Sequence, residues 1–390
     1  MTVHLHWFLP NSGDGRDIGG AGHRSERGSA AGRPPDLDYL TQVATAAERL
    51  GFEAVLTPTG TWSEDAWITT AALIGATRRL TFIVALRPGL VSPTLTAQMA
   101  ATFQRLSGGR LALNVVTGGD SSEQQRFGDW LGHDERYART AEFLQILRGA
   151  WTGEPYDFDG VHYRIAGATV ATPPSPVPPL YFGGASAPAE RVAAAHADVY
   201  LAWGEPPPAL ATRIASVRAA AGAEGRTLSY GVRLHVIARE TAEKAWRVAD
   251  DLLARMDPAA IAAAQAQFAR SDSVGQRRMT ALQGGSLTVY PNLWAGYGLV
   301  RGGAGTALVG SYDEVADRLA EYHDAGVDHA ILSGYPHLEE AYWFGEGVLP
   351  ILRERGLVTS PLVTSPLVTS PLVTSPVATA SLATPPGAQP

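Results

Sequence analysis

Strand-like and helix-like stretches alternate along most of this chain, and that alternation restricts its fold more than any other feature. Short apolar runs occur at 5–10, 54–57, 80–86, 111–116, 180–182, 199–203, 230–237 and 329–332, each the length of a buried strand. Helical patterns lie between them, among others at 65–77, 94–105 and 135–150. Parallel strands need a long crossover, and a helix supplies it. Eight such units predict an α/β fold closed as a (β/α)8 TIM barrel rather than an open doubly wound sheet. An open dinucleotide-binding sheet would place a glycine fingerprint directly after an early strand. The nearest candidate, Gly302-Gly-Ala-Gly305, comes late and follows no clear strand.

Four segments stand outside the alternation. A glycine-rich loop with Asp14, Arg16, His23 and Arg24 follows the first strand, and 153–172 reads as a hairpin-like insertion with Tyr156, Phe158 and Tyr163. Segment 257–310 is too long for an ordinary barrel loop. It joins an alanine-rich helical start to the polar Ser271-Asp-Ser-Val-Gly275 and to Arg301-Gly-Gly-Ala-Gly305. It reads either as an active-site lid with glycine hinges or as an insertion that builds an oligomer contact. From Leu357 the chain repeats Leu-Val-Thr-Ser-Pro four times, and proline at every fifth position forbids a regular helix or a central strand. The expected organisation is a barrel domain over 1–356, with 257–310 as its lid region, and a disordered low-complexity tail over 357–390.

Composition removes several function classes. A net charge of -7 without a basic cluster offers no general attraction for nucleic acid or an anionic membrane. No charged leader and no bilayer-length apolar run occur, so a soluble, cytoplasmic protein is expected. The absence of cysteine excludes disulfides, thiolate metal sites and a cysteine nucleophile. Lys244 is the only lysine and lies far from any glycine-rich turn, which argues against Schiff-base and P-loop chemistry. Arginine, the dominant base here, grips oxyanions in a planar fork.

On the strand 230–237, Val232, Leu234 and Val236 face one way and Arg233 and His235 the other. That polar face is either solvated or, in an inner strand covered on both sides, part of an anion pocket. Function in a barrel gathers at the C-terminal strand ends, which here include Arg87, Asn114, Gly183-Gly-Ala-Ser186, Trp203-Gly-Glu205 and Ser333-Gly-Tyr-Pro-His337. Among acids, only Asp120 and Glu205 stand there, too sparse a set for glycoside hydrolysis. Gly184, Ala185 and Ser186 open a helix, as a phosphate cradle or an ordinary tight turn. His133 and Tyr137 share a face near a helix start, to reach the same phosphate or ring or to cap the surface. His4-Leu-His6 resembles a barrel metal pair, but the lysine and late aspartate that would complete it are missing, so no metal is expected.

Longer stretches carry a family resemblance. Trp7-Phe-Leu-Pro10, Val84-Ala-Leu-Arg-Pro88, Tyr200-Leu-Ala-Trp-Gly-Glu-Pro-Pro207, Arg233-Leu-His235, Pro291-Asn-Leu-Trp-Ala295, Arg301-Gly-Gly-Ala-Gly-Thr-Ala-Leu-Val-Gly310 and Leu332-Ser-Gly-Tyr-Pro-His-Leu-Glu-Glu-Ala341 follow in order. Together they resemble the two-component, reduced-flavin-dependent alkanesulfonate monooxygenases of the bacterial luciferase-like family. The resemblance implies reduced FMN (FMNH2) with O2 as co-substrate, a separate NAD(P)H-dependent FMN reductase, a homotetramer, and release of sulfite and an aldehyde from an alkanesulfonate. It implies Arg233, His235, Arg301 and Tyr335 as catalytic residues, with Trp203, Arg233, Arg301 and Ser63 around the substrate. Asn114, His133, Tyr137, Gly184, Ala185 and Ser186 would hold the flavin. Ser63 stands where typical members carry cysteine, and Ser12 where they carry histidine. A sulfone monooxygenase, a deazaflavin-dependent oxidoreductase or a silent flavin- or anion-binding barrel are the rival expectations.

Overall fold

A computed structural model describes residues 2–18 and 32–359. The strands, in chain order, are β1 (His4–Phe8), β2 (Ala54–Thr57), β3 (Thr81–Leu86), β4 (Leu111–Val115), β5 (Tyr156–Asp159), β6 (Arg164–Ala168), β7 (Leu180–Gly183), β8 (Val199–Trp203), β9 (Ser229–Arg239), β10 (Thr288–Tyr290), β11 (Leu293–Trp294), β12 (Ala307–Ser311) and β13 (His329–Ser333). Eight of them close a parallel barrel in the order β1-β2-β3-β4-β7-β8-β9-β13 and back to β1. The TIM barrel expected from the alternation is the fold. No described helix is long and apolar enough to cross a membrane.

Each barrel strand buries both faces. On β9, Val232, Leu234 and Val236 join the layer between strands and helices. Phe8, Leu56, Ile83, Tyr181, Leu201 and Ile331 fill the barrel's inside, as a small closed barrel requires. Arg233 and His235 share that inner side with them, so their face is not solvated. At the barrel floor the His329 ring stacks on those of His4 and His6, with centroids 4.8 and 5.3 Å away. His6 Nε2 meets His329 Nδ1 at 3.0 Å, and His4 Nδ1 meets Glu53 at 2.8 Å.

Strand β9 is longer than the expected 230–237, and the reason is a partner that local pattern does not show. Its first half pairs with β8 as far as Trp203↔Arg233. From His235 onward the same side of β9 pairs with β12, in the register Ala307↔His235 to Ser311↔Arg239. The expected lid span, 257–310, therefore ends inside a strand. The rest of it holds two helices, Pro258–Phe268 and Val274–Ala281, and the antiparallel pairs β10–β11 and β11–β12. The hairpin expected at 153–172 is β5 paired with β6.

Two boundaries differ or fall out of view. The expected tail begins at Leu357, yet Val3 N–H donates to Leu357 O at 2.7 Å and Val358 is buried in the core. The barrel thus keeps these residues, and 360–390 lie outside the described residues. In the glycine-rich loop, Asp14 and Arg33 pair through their backbones at 3.0 and 2.7 Å, while His23 and Arg24 lie outside the described residues.

Candidate active site

A cavity of about 330 Å³ opens at the C-terminal ends of the barrel strands, within the size range of a cofactor pocket. Its walls include Phe8, Trp62, Arg87, Asn114, Trp203 and Arg233 from strand ends and their loops. Phe268, Gly275 and Gln276 come from the two helices of the insertion, and Arg301 from the segment that follows them. The insertion thus lines the pocket and forms its cover. It is tied down by Arg278, whose Nε and Nη2 reach Glu205 at 2.8 and 2.6 Å, and by Ser121 Oγ donating to Asp272 at 2.6 Å. Glu205 also holds Arg213 at 2.5 Å, so one buried carboxylate joins the barrel to its cover.

Two guanidinium groups dominate the inner wall. Arg233 is 5% exposed and Arg301 3%. The Arg233 side chain donates to Leu234 O, to Ile331 O at 3.4 Å and to Ser333 Oγ at 2.7 Å. All of these acceptors are neutral. Its carbon Cζ lies 4.6 Å from the centroid of the Phe8 ring, a cation–π contact. Burial, and after it the charge of Arg301, pushes the Arg233 guanidinium well below its ordinary pKa. Two guanidinium groups on one wall offer planar forks of N–H donors, which suit an anion.

His235 and Tyr335, expected as catalytic residues, are not on the cavity wall. They stand behind the two arginines. The Tyr335 hydroxyl accepts from Arg301 Nε at 2.9 Å, and Arg301 Nη1 donates to Ala304 O at 2.8 Å. His235 is fully buried, its ring centroid 4.5 Å from that of Tyr297 and 5.5 Å from that of Tyr335. Its tautomer follows from its partners. Nε2 lies 3.1 Å from Ala304 O, a pure acceptor, so Nε2 carries the proton. Nδ1 then accepts from the Ser333 hydroxyl at 2.8 Å, and the same Ser333 oxygen accepts from Arg233. Burial first, then the charges of Arg301, Arg233 and His337, hold the His235 pKa well below the usual imidazole value. The neutral ring is what this hydrogen-bond pattern needs. The segment 301–306 covers His235 because β12 pairs with β9 beside it.

Ser63 is also displaced from its expected place. Its hydroxyl donates to Gly60 O at 3.3 Å within its own turn, and Thr59 and Trp62 take the wall instead. Trp203 is on the wall, packed toward the insertion: a methyl group on Gly275 would come within 2.9 Å of its indole.

All six residues expected around a flavin line the cavity: Asn114, His133, Tyr137, Gly184, Ala185 and Ser186. His133 and Tyr137 rings lie 4.9 Å apart. Gly184 has φ +155, and a methyl group there would stand 2.5 Å from Ala189 Cβ and 3.2 Å from the Tyr137 hydroxyl. Only a glycine lets the backbone pass so close. Ser186 caps the helix Ala187–His196, whose N-terminus suits a phosphate. The donor set and the cradle fit the phosphate end of a flavin mononucleotide. Burial raises the Tyr137 pKa, with a Ser186 hydrogen bond opposing, so the phenol stays protonated.

Several wall residues went unassigned in the sequence. Arg87 donates to Glu123 at 2.7 Å and stacks over Phe127 at 5.8 Å. Its position at a strand end was visible, but its carboxylate partner on another segment was not. Ser333 likewise stands at a strand end, and only the fold brings it between Arg233 and His235.

These features describe a TIM barrel with an anion-suited cavity at the C-terminal ends of its strands. The chain belongs to the luciferase-like monooxygenase family, whose model matches residues 3–329. Among solved structures it is similar to a riboflavin lyase holding modified FMN and riboflavin, with 22% identity over 92% of this chain and 93% of that one and a TM-score of 0.77. A long-chain alkane monooxygenase matches with 20% identity over 92% and 93% and a TM-score of 0.75. The EDTA monooxygenase of Chelativorans sp. matches with 22% identity over 92% and 95% and a TM-score of 0.71.

Proposed function

We propose that the protein is a reduced-FMN- and O2-dependent alkanesulfonate monooxygenase that releases sulfite and an aldehyde for sulfur acquisition. The observation that carries this reading is the buried Arg233–Arg301 pair, with Arg233 held by neutral acceptors alone. A sulfonate is a permanent anion with three acceptor oxygens, and two planar guanidinium forks clamp it through charge-assisted hydrogen bonds. FMN, when bound, supplies the activation of O2. The residues of the chain bind and orient. Phe8 and Trp203 wall the cavity and exclude water, Tyr335 and Ala304 O aim Arg301, and Ser333 with His235 aims Arg233. The flavin part of the reading is supported by the Gly184–Tyr137–Ser186 cradle and by the FMN present in a similar barrel. An NAD(P)H-dependent FMN reductase as partner, a homotetramer and a cytoplasmic setting belong to the same proposal, through the family resemblance.

The test is sulfite release from a panel of alkanesulfonates in an assay coupled to an FMN reductase. Arg233→Ala or Arg301→Ala should each cost at least one charge-assisted contact, about 1.5–3 kcal/mol, or roughly 10- to 150-fold in kcat/KM. Turnover of an uncharged sulfone in preference to every sulfonate, or activity only with a deazaflavin, would overturn the reading.

A further inference from the structure

We infer that Gln276 and Gln265, both on the insertion, are positioning residues that set Arg301 by gripping the backbone on either side of it. Gln276 is 5% exposed, and its Oε1 accepts from Gly303 N–H at 2.9 Å. Gln265 Nε2 donates to Gly298 O at 3.1 Å and Leu299 O at 2.8 Å. Between these grips the segment folds back on itself: Gly298 N–H donates to Gly305 O at 2.9 Å and Arg301 N–H to Tyr297 O at 3.0 Å. The two glutamines stand on different helices, Pro258–Phe268 and Val274–Ala281. The arginine is therefore clasped from two places on the cover, while Tyr335 and Ala304 O hold only its side chain. When the cover is seated, Arg301 is aimed; when it lifts, the segment loses both grips. Substrate affinity is thereby coupled to the position of the cover, without either glutamine serving as an anion ligand. The consequence for affinity rests on the sulfonate reading of the site; the consequence for the backbone does not.

The experiment uses the full-length protein with Gln276→Met, which keeps length and volume but removes the acceptor. Hydrogen exchange of peptides spanning 298–305 should be faster than in the wild type, with exchange in the barrel strands unchanged and the Tm lowered by no more than about 2 °C. Octanesulfonate binding, followed by tryptophan fluorescence, should weaken roughly 2- to 12-fold, the value of one hydrogen bond. In an Arg301→Ala background the same substitution should change octanesulfonate affinity no further, because its effect passes through that side chain. Gln265→Met should behave alike and serves if Gln276→Met does not fold. Unchanged exchange at 298–305, or a full and additive loss of affinity in the Arg301→Ala background, overturns the inference. If the wild type binds no octanesulfonate, the sulfonate reading fails, and the exchange measurement alone still decides for or against the grip.

Discussion

Replacing Ser333 by alanine should damage the site more than the loss of one small hydroxyl suggests. The Ser333 oxygen accepts from Arg233 Nη2 at 2.7 Å and donates to His235 Nδ1 at 2.8 Å, at a position with 0% exposure. The first bond involves a charged group and is worth about 1.5–3 kcal/mol, the second about 0.5–1.5 kcal/mol. Alanine leaves both partners buried without that oxygen. Allowing for partial relaxation, the cost is about 2–4 kcal/mol. For a barrel of this size that is a fall in Tm of roughly 3–6 °C. Activity should fall as well, because the Arg233 fork loses one of its aiming contacts. Calorimetry gives the first quantity and sulfite release the second; Ser333→Cys, with a weak donor of similar shape, should fall between. A Ser333→Ala protein within 1 °C of the wild type and equally active would refute the hub. Arg233 would then be held well enough by the Leu234 and Ile331 carbonyls.

Three further outcomes follow from the same geometry. Gly184→Ala would place a methyl group 2.5 Å from Ala189 Cβ at φ +155, so it should cost about 1–3 kcal/mol of stability and weaken FMNH2 binding about tenfold in anaerobic titration. Equal stability and equal affinity would remove Gly184 from the cradle. Burial lowers the pKa of His329 to about 4 and of His6 well below 6.5, and lowers His235 likewise. The unfolded chain then binds more protons than the folded one between pH 6.5 and 4, so this stability is whole above 6.5 and lost as pH falls toward 4. His4, raised by Glu53, runs the other way, stabilising below about pH 6.5 and losing its contribution as pH rises through its folded value. Urea midpoints from pH 8 to 4 should decline below 6.5, and a flat profile would refute a neutral His6–His329 pair. Ser63→Ala removes only a turn hydrogen bond to Gly60 O at 3.3 Å, so stability should change by no more than about 0.5 kcal/mol, with FMNH2 affinity unaltered. A tenfold loss of affinity would place Ser63 in the pocket after all.

The limits of what the sequence disclosed lie in how periodicity works. An alternating strand shows which residues share a face, so Arg233 and His235 were legible as a pair, and the strand-end rule located Asn114, Trp203 and the Gly184 turn. Periodicity carries no information about which distant segment will cover a given level of that face. Arg233 meets the cavity, while His235, one repeat further along β9, is roofed by the segment leading into β12. That pairing joins residues some seventy positions apart, and no local pattern announces it. The glycines of Arg301-Gly-Gly-Ala-Gly305 show the same limit. They were visible as a mobile-looking run, and a hinge was the local reading. In the fold, a methyl group on Gly305 would stand 2.6 Å from Gly298 Cα, so this glycine lets two backbone strands touch. The close approach brings the Gly305 carbonyl to Gly298 N–H at 2.9 Å and closes the loop on which Arg301 sits. A glycine that reads as freedom in the sequence is, at this position, the condition for holding the arginine still.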